Sequence, residues 1–176
     1  MPFAFYARLS PARQQIYLRS DAVETLALPA GVVAGQRVAR IRTALGRENR
    51  AAVQAACQDL LNALTAAYRV PKIRARVLAK RPADDTGELH GLYEPDDAGV
   101  LARITVWTRT AAREDVVAFK TFLRTLIHEL CHHLDYELYK LPETFHTEGF
   151  YKRESTLVAA LVREESAAGD PQGRLL

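Results

Sequence analysis

The chain has 176 residues, 48% of them apolar, and carries a net charge of +3 at pH 7. That length and composition suit one globular domain that buries its own core without covalent staples. Its two cysteines exclude a disulfide scaffold and a four-cysteine zinc ribbon, and no run approaches the roughly 18 apolar residues of a membrane span.

Cys57 and Cys131 lie in apolar helical patterns and read as reduced core residues, which fits a cytoplasmic protein. Residues 1–20 show no basic start followed by an apolar run, so no secretion signal is expected. The mild positive charge is dispersed, and it lends only weak support to a nucleic-acid partner.

Residues 1–35 read as an N-terminal extension, aromatic at its start (Phe3, Phe5, Tyr6, Tyr17). Ser10-Pro11, an N-cap followed by Pro at the first helical position, predicts a short helix near 11–20. Pro29, Gly31 and Gly35 mark a loop. From Gln36 to Tyr68 the apolar spacing is helical, with Gly46 a break between two segments and Val70-Pro71 a stop. Ile73, Ala75 and Val77 alternate with Arg74 and Arg76 as in a half-buried strand. A turn-rich loop over 81–87 and a short strand over 89–93 follow. Asp96-Asp97-Ala98-Gly99 turns the chain into Val100–Thr108, the strongest strand pattern present. A helix is expected over 116–141, stopped by Pro142, and a last one from Thr144 to Glu165. The tail, 167–176, carries Gly169, Pro171 and Gly173 and is expected to be disordered.

The chemistry concentrates in His128-Glu129-Leu130-Cys131-His132. Residues four apart lie one above the other on a helix, so His128 and His132 can offer two imidazoles to one metal ion. Glu129, about 100° away around the axis, sits beside that ion and is free to move a proton. Leu123, Ile127, Leu130, Leu134, Leu138 and Leu141 form an apolar stripe, while His128, His132 and Asp135 share an arc of about 60° on the opposite face. Zinc suits two neutral imidazoles, and a catalytic zinc needs a third protein ligand and an open position. His146 is the best placed downstream, where the chain turns back towards the helix; Glu148 and Glu154 are the alternatives. Asp135 is placed to accept the free N–H of a ligand histidine. Tyr136 and Tyr151 read as packing residues, with lending a phenol to a developing oxyanion as the alternative, and His133 points away from the metal pair.

His128-Glu129-Leu130-Cys131-His132, a short gap, and His146-Thr147-Glu148-Gly149-Phe150-Tyr151 resemble the SprT-like group of minimal zincin metallopeptidases. The resemblance spans about residues 50–165 and implies a His as third ligand, with a Phe four residues later packing the next helix. A zinc ribbon is lacking, and residues 1–35 have no counterpart. An α+β minimal-zincin fold is therefore expected over 36–166, with long helices on a small, mostly antiparallel three-stranded sheet. The expected function is zinc-dependent hydrolysis of peptide or protein substrates. Glu129 would be the general base, and Leu101–Thr108 an edge strand that binds the substrate. The rival reading is a non-catalytic zinc-binding module that recognises a partner or nucleic acid.

Overall fold

The computed structural model describes residues 3–85 and 87–169. After a single 3-10 turn, Ala4–Arg8, come helices α1 (Pro11–Asp21), α2 (Gly35–Gly46) and α3 (Arg50–Tyr68), then five strands: β1 (Arg74–Lys80), β2 (Ala83–Asp84), β3 (Gly87–Glu88), β4 (Gly91–Glu94) and β5 (Arg103–Arg109). Helices α4 (Phe119–Glu137) and α5 (Glu148–Gly169) close the chain. The starts and stops follow local chemistry. Ser10 Oγ accepts from Arg13 N–H at the head of α1, and Asn49 Oδ1 accepts from Ala52 N–H at the head of α3. Helix α2 ends at Gly46, the break expected from the sequence. Helix α3 ends on Arg69 in the left-handed region, just before Val70-Pro71.

Several of the sequence expectations shift. The sheet is mixed, in the order β1-β5-β4: β1 runs parallel to β5, and β4 antiparallel to it. The chain passes from β1 to the far edge, forms β4, and turns back through Ala98 and Gly99, both at positive φ, into the centre. Alternation identifies strands but carries no direction, so "mostly antiparallel" could not be read correctly from it. Second, β5 is the central strand and not an edge. Ile104, Thr105, Val106 and Trp107 are all buried, whereas β4 has no buried residue, and the more apolar strand takes the covered position. Third, α4 stops at Glu137, with Lys140 in the left-handed region before Leu141-Pro142, and α5 starts only at Glu148. His146 therefore lies on the connecting loop and not in a helical turn. The loop over 81–87 carries the small β2–β3 pair, and α5 extends through Gly169, into the stretch read as a tail. Residues 170–176 lie outside the described residues.

The two edges of the sheet differ. Gln58 of α3 accepts from Ala75 N–H and donates to Ile73 C=O, and Gln54 accepts from Val77 N–H, so the outer side of β1 is capped by helix side chains. The other edge is β4, beside α4, where Glu129 accepts from the Tyr93 N–H. One core joins Val38 and Ile41 of α2, Leu60 and Leu64 of α3, Val77, Ile104 and Val106 of the sheet, Leu126 and Leu130 of α4, and Leu157 and Leu161 of α5. With sheet on one side and α5 on the other, α4 is buried around most of its circumference. Glu129, His133 and Asp135 are therefore buried along with its leucines.

The N-terminal segment is laid along α5. Tyr17 and Ser20 are fully buried, and Arg153 donates to the carbonyls of Ser20 and Val23. Gly149 donates to Asp21 Oδ1, and a Cβ at Gly149 would run into the Asp21 backbone carbonyl. Only glycine lets the head of α5 sit this close to the end of α1. Among the described residues, no helix is long and apolar enough to cross a membrane.

Candidate metal centre

Helix α4 presents His128 and His132 one turn apart, and the loop before α5 brings His146 against both. His146 Nε2 lies 3.0 Å from His128 Nε2 and 3.0 Å from His132 Nε2. The ligand atoms of the three histidines all fall within 4.8 Å of one another, close enough to hold one metal ion. Phe150, fully buried, packs its ring about 5 Å from each imidazole and forms the floor beneath them.

The far ring nitrogens fix which way the lone pairs point. His128 Nδ1 lies 2.8 Å from Glu154 Oε2, and that carboxylate can only accept, so in the neutral, ligating form of this imidazole Nδ1 carries the proton and Nε2 is bare. His132 Nδ1 lies 2.8 Å from Thr144 Oγ1, whose own hydrogen is given to Asp135 Oδ2 at 2.7 Å. The hydroxyl therefore accepts from His132, and this Nε2 is bare too. His146 Nε2 can offer one proton to one of these neighbours and leaves the other lone pair facing it unmatched. A cation resolves that frustration. Imidazoles on one tetrahedral zinc, at about 2.0–2.1 Å each, stand about 3.4 Å apart, and the two separations from His146 are 3.0 Å. The donor set thus fits a borderline-soft divalent ion.

Behind the histidines lies a second layer of which the sequence showed only part. Asp135 does support a ligand histidine, but through Thr144 and not by direct contact. Its other oxygen accepts from Arg153 Nη2 at 2.6 Å, and Arg153 also donates to Ser20 Oγ, so a fully buried ion pair ties the relay to α1. Glu154 is a partner of His128 and of Arg124 in this arrangement, and not a member of the convergent cluster. Glu148 is half-buried and pairs with Lys152. His133 stays out of the site, as its wheel position indicates: Nε2 donates to Pro71 C=O, and Nδ1 lies 3.2 Å from Tyr93 Oη, bracing β4 against α4. Thr144 and Arg153 carried no sequence signal, because nothing in their local spacing marks a partner 9 to 18 residues away.

Glu129 lies next to the cluster, 6% exposed, and lines the cleft between α4 and the β4 edge. Burial pushes its carboxyl up to about 7, against the pull of His128 and of the Tyr93 N–H that it accepts from. A carboxyl poised there can take a proton at neutral pH and give it back. Burial, then the neighbouring imidazoles, hold His132 down to about 3, and burial with His128 lowers His146, so both are neutral and ready to ligate near pH 7. Gly91 lets β4 come this close: a Cβ there would overlap Glu129 Oε1 and lie 2.8 Å from both Glu129 Cγ and Thr125 Cγ2. The cleft has a volume of about 790 Å³ and is walled by His90, Leu92 and Tyr93 on one side and by Tyr136, Tyr151 and the histidines on the other.

Comparison with known proteins yields no match: no family model fits the chain, and neither curated proteins nor solved structures are similar to it.

Proposed function

We propose that the chain is a zinc metallopeptidase of the zincin type, with His128, His132 and His146 as the metal ligands and Glu129 as general base. The observation that carries this reading is the convergence of three Nε2 atoms beside a buried carboxyl raised to about 7. Among the described residues these three histidines are the group able to hold an ion, which argues for an open fourth position and against a closed structural site. Zinc bound there supplies a water acidified towards about pH 7 and a Lewis acid for the scissile carbonyl.

The chain's own residues do the rest. Glu154 and the Thr144–Asp135 pair fix two of the imidazole planes, so the site is preorganised before anything binds. Glu129 accepts the proton of the attacking water and passes it to the leaving amine, which keeps the cleft electrically balanced through the cycle. An extended peptide lies along β4, the edge of the sheet beside the cleft, and not along β5, which is internal. The buried thiols Cys57 and Cys131 suit a reducing compartment.

The test is Glu129→Gln, which keeps size and removes basicity. Protein purified without a metal-affinity tag should contain about one zinc per chain in both forms. Cleavage of unfolded protein substrates should fall by roughly 10²–10⁴-fold in the variant. Equal cleavage by both forms, or wild type that takes up no zinc at micromolar concentration, would overturn the proposal.

A further inference from the structure

A second concavity opens where the catalytic cleft ends. It is lined by Phe3, Ala4, Phe5, Arg8, His146 and Tyr151, so it shares a ligand histidine and a tyrosine with the cleft itself. Its aromatic walls are large apolar groups left facing solvent: Phe3 is 41% exposed, Phe5 39% and Tyr151 42%. They are ordered with respect to one another. Phe5 stacks on Phe3 with centroids 6.2 Å apart, Phe3 meets Tyr151 edge-on at 6.3 Å, and Tyr151 stacks on His146 at 5.8 Å. A line of rings therefore runs from the N-terminal segment to the metal centre. The segment is fixed in place, because Phe3 N–H donates to Tyr17 Oη and the Phe5 ring packs edge-on against the buried Tyr17.

Solvent-facing aromatics lose free energy in water, and three of them set beside a reactive centre are stabilised when an apolar group covers them. Continuity with the cleft decides what that group is. A peptide whose scissile bond lies at His146 must pass Tyr151, and the side chain next to that bond reaches the concavity that Tyr151, Phe3 and Phe5 line. Arg8 at the rim disfavours a cationic side chain, although aromatic faces alone would tolerate one. We propose that Phe3, Phe5 and Tyr151 form a specificity subsite for a bulky apolar, preferably aromatic, side chain flanking the scissile bond; this rests on the peptide-hydrolysis reading above. The N-terminal segment is then part of the substrate-binding surface.

Binding tests this separately from turnover. The probes are blocked, fluorescein-labelled octapeptides of Gly, Ala and Ser with a single Phe, Leu, Lys or Gly scanned through the central positions. They are titrated against the full chain, zinc-loaded and carrying Glu129→Gln. The Phe peptide should bind about 10- to 100-fold more tightly than the Gly peptide in its best register, the usual range for an apolar pocket, with Lys no better than Gly. Phe3→Ser with Phe5→Ser should abolish the preference at unchanged zinc content. Ala4→Trp, which fills the concavity without removing a contact, should do the same and guards against a folding defect in the first variant. A Lys preference, equal binding of Phe and Gly peptides, a preference that survives both variants, or no peptide binding at all overturns the subsite. If wild type cleaves nothing while the Phe preference and its loss in both variants are seen, the subsite stands and only the hydrolytic reading fails.

Discussion

Thr144→Val removes one hydroxyl and keeps the side chain's shape, which isolates the relay behind His132. In the wild type that oxygen accepts from His132 Nδ1 at 2.8 Å and donates to Asp135 Oδ2 at 2.7 Å. The variant leaves an imidazole N–H without its acceptor and a carboxylate oxygen of a fully buried residue without one donor. Each orphaned group costs about 1–3 kcal/mol when dry. Both contacts are only partly buried, so water recovers some of this, and a loss near 2 kcal/mol in the metal-free protein is expected. Zinc affinity should fall by 10- to 100-fold, because the His132 ring is no longer held in its tautomer and plane. That is about 1.4–2.8 kcal/mol. Chelator competition at fixed pH measures the affinity, and urea unfolding of metal-free protein measures the stability. Thr144→Ser restores the hydroxyl and should recover most of both. Wild-type affinity and stability in Thr144→Val would show that the geometry of the relay has no energetic content.

Three further outcomes follow from the same geometry. His146→Ala should lower zinc affinity more than Glu154→Ala, since one removes a ligand and the other only the group that orients His128; chelator competition showing the reverse order would make Glu154 the third ligand. Gly91→Ala should keep its zinc, lose about 1–3 kcal/mol to overpacking, and hydrolyse about 10²-fold more slowly as Glu129 is pushed aside; a full rate at full stability would mean that β4 can stand off from α4 at no cost. In the metal-free protein, the Glu129 carboxyl rises from 4.5 to about 7 on folding. The native state therefore binds more protons between those values, and stability from this group is lost as pH rises through 7. His132 acts oppositely, since its folded value of about 3 lies below 6.5 and stability is lost as pH falls. Comparing Glu129→Gln with wild type cancels the histidine contribution, and the variant should gain up to about 3 kcal/mol on going from pH 4.5 to 8 in urea titrations. A difference that stays flat with pH would place Glu129 in water.

The sequence by itself determined whatever repeats along one element. The i, i+4 pair His128 and His132, the adjacent Glu129 and the apolar stripe of α4 follow from helical geometry. Ser10-Pro11 and Val70-Pro71 set helix ends through local hydrogen bonds and fixed φ angles. Such signals need only neighbours in the chain. The tertiary structure decided whatever depends on which element lies beside which. It placed His146 on a loop against both helix histidines, put β5 in the centre of the sheet, and left β4 at the edge beside the cleft. It also chose the partners of the ligands. Asp135 reaches His132 only through Thr144, Glu154 backs His128, and Arg153 joins that network to Ser20, more than 130 residues away. Strand direction, burial of Glu129 and the closeness permitted by Gly91 belong to the same class. Each is set by the cost of leaving a polar group dry or a methyl overlapped, and those costs exist only once distant segments have packed together.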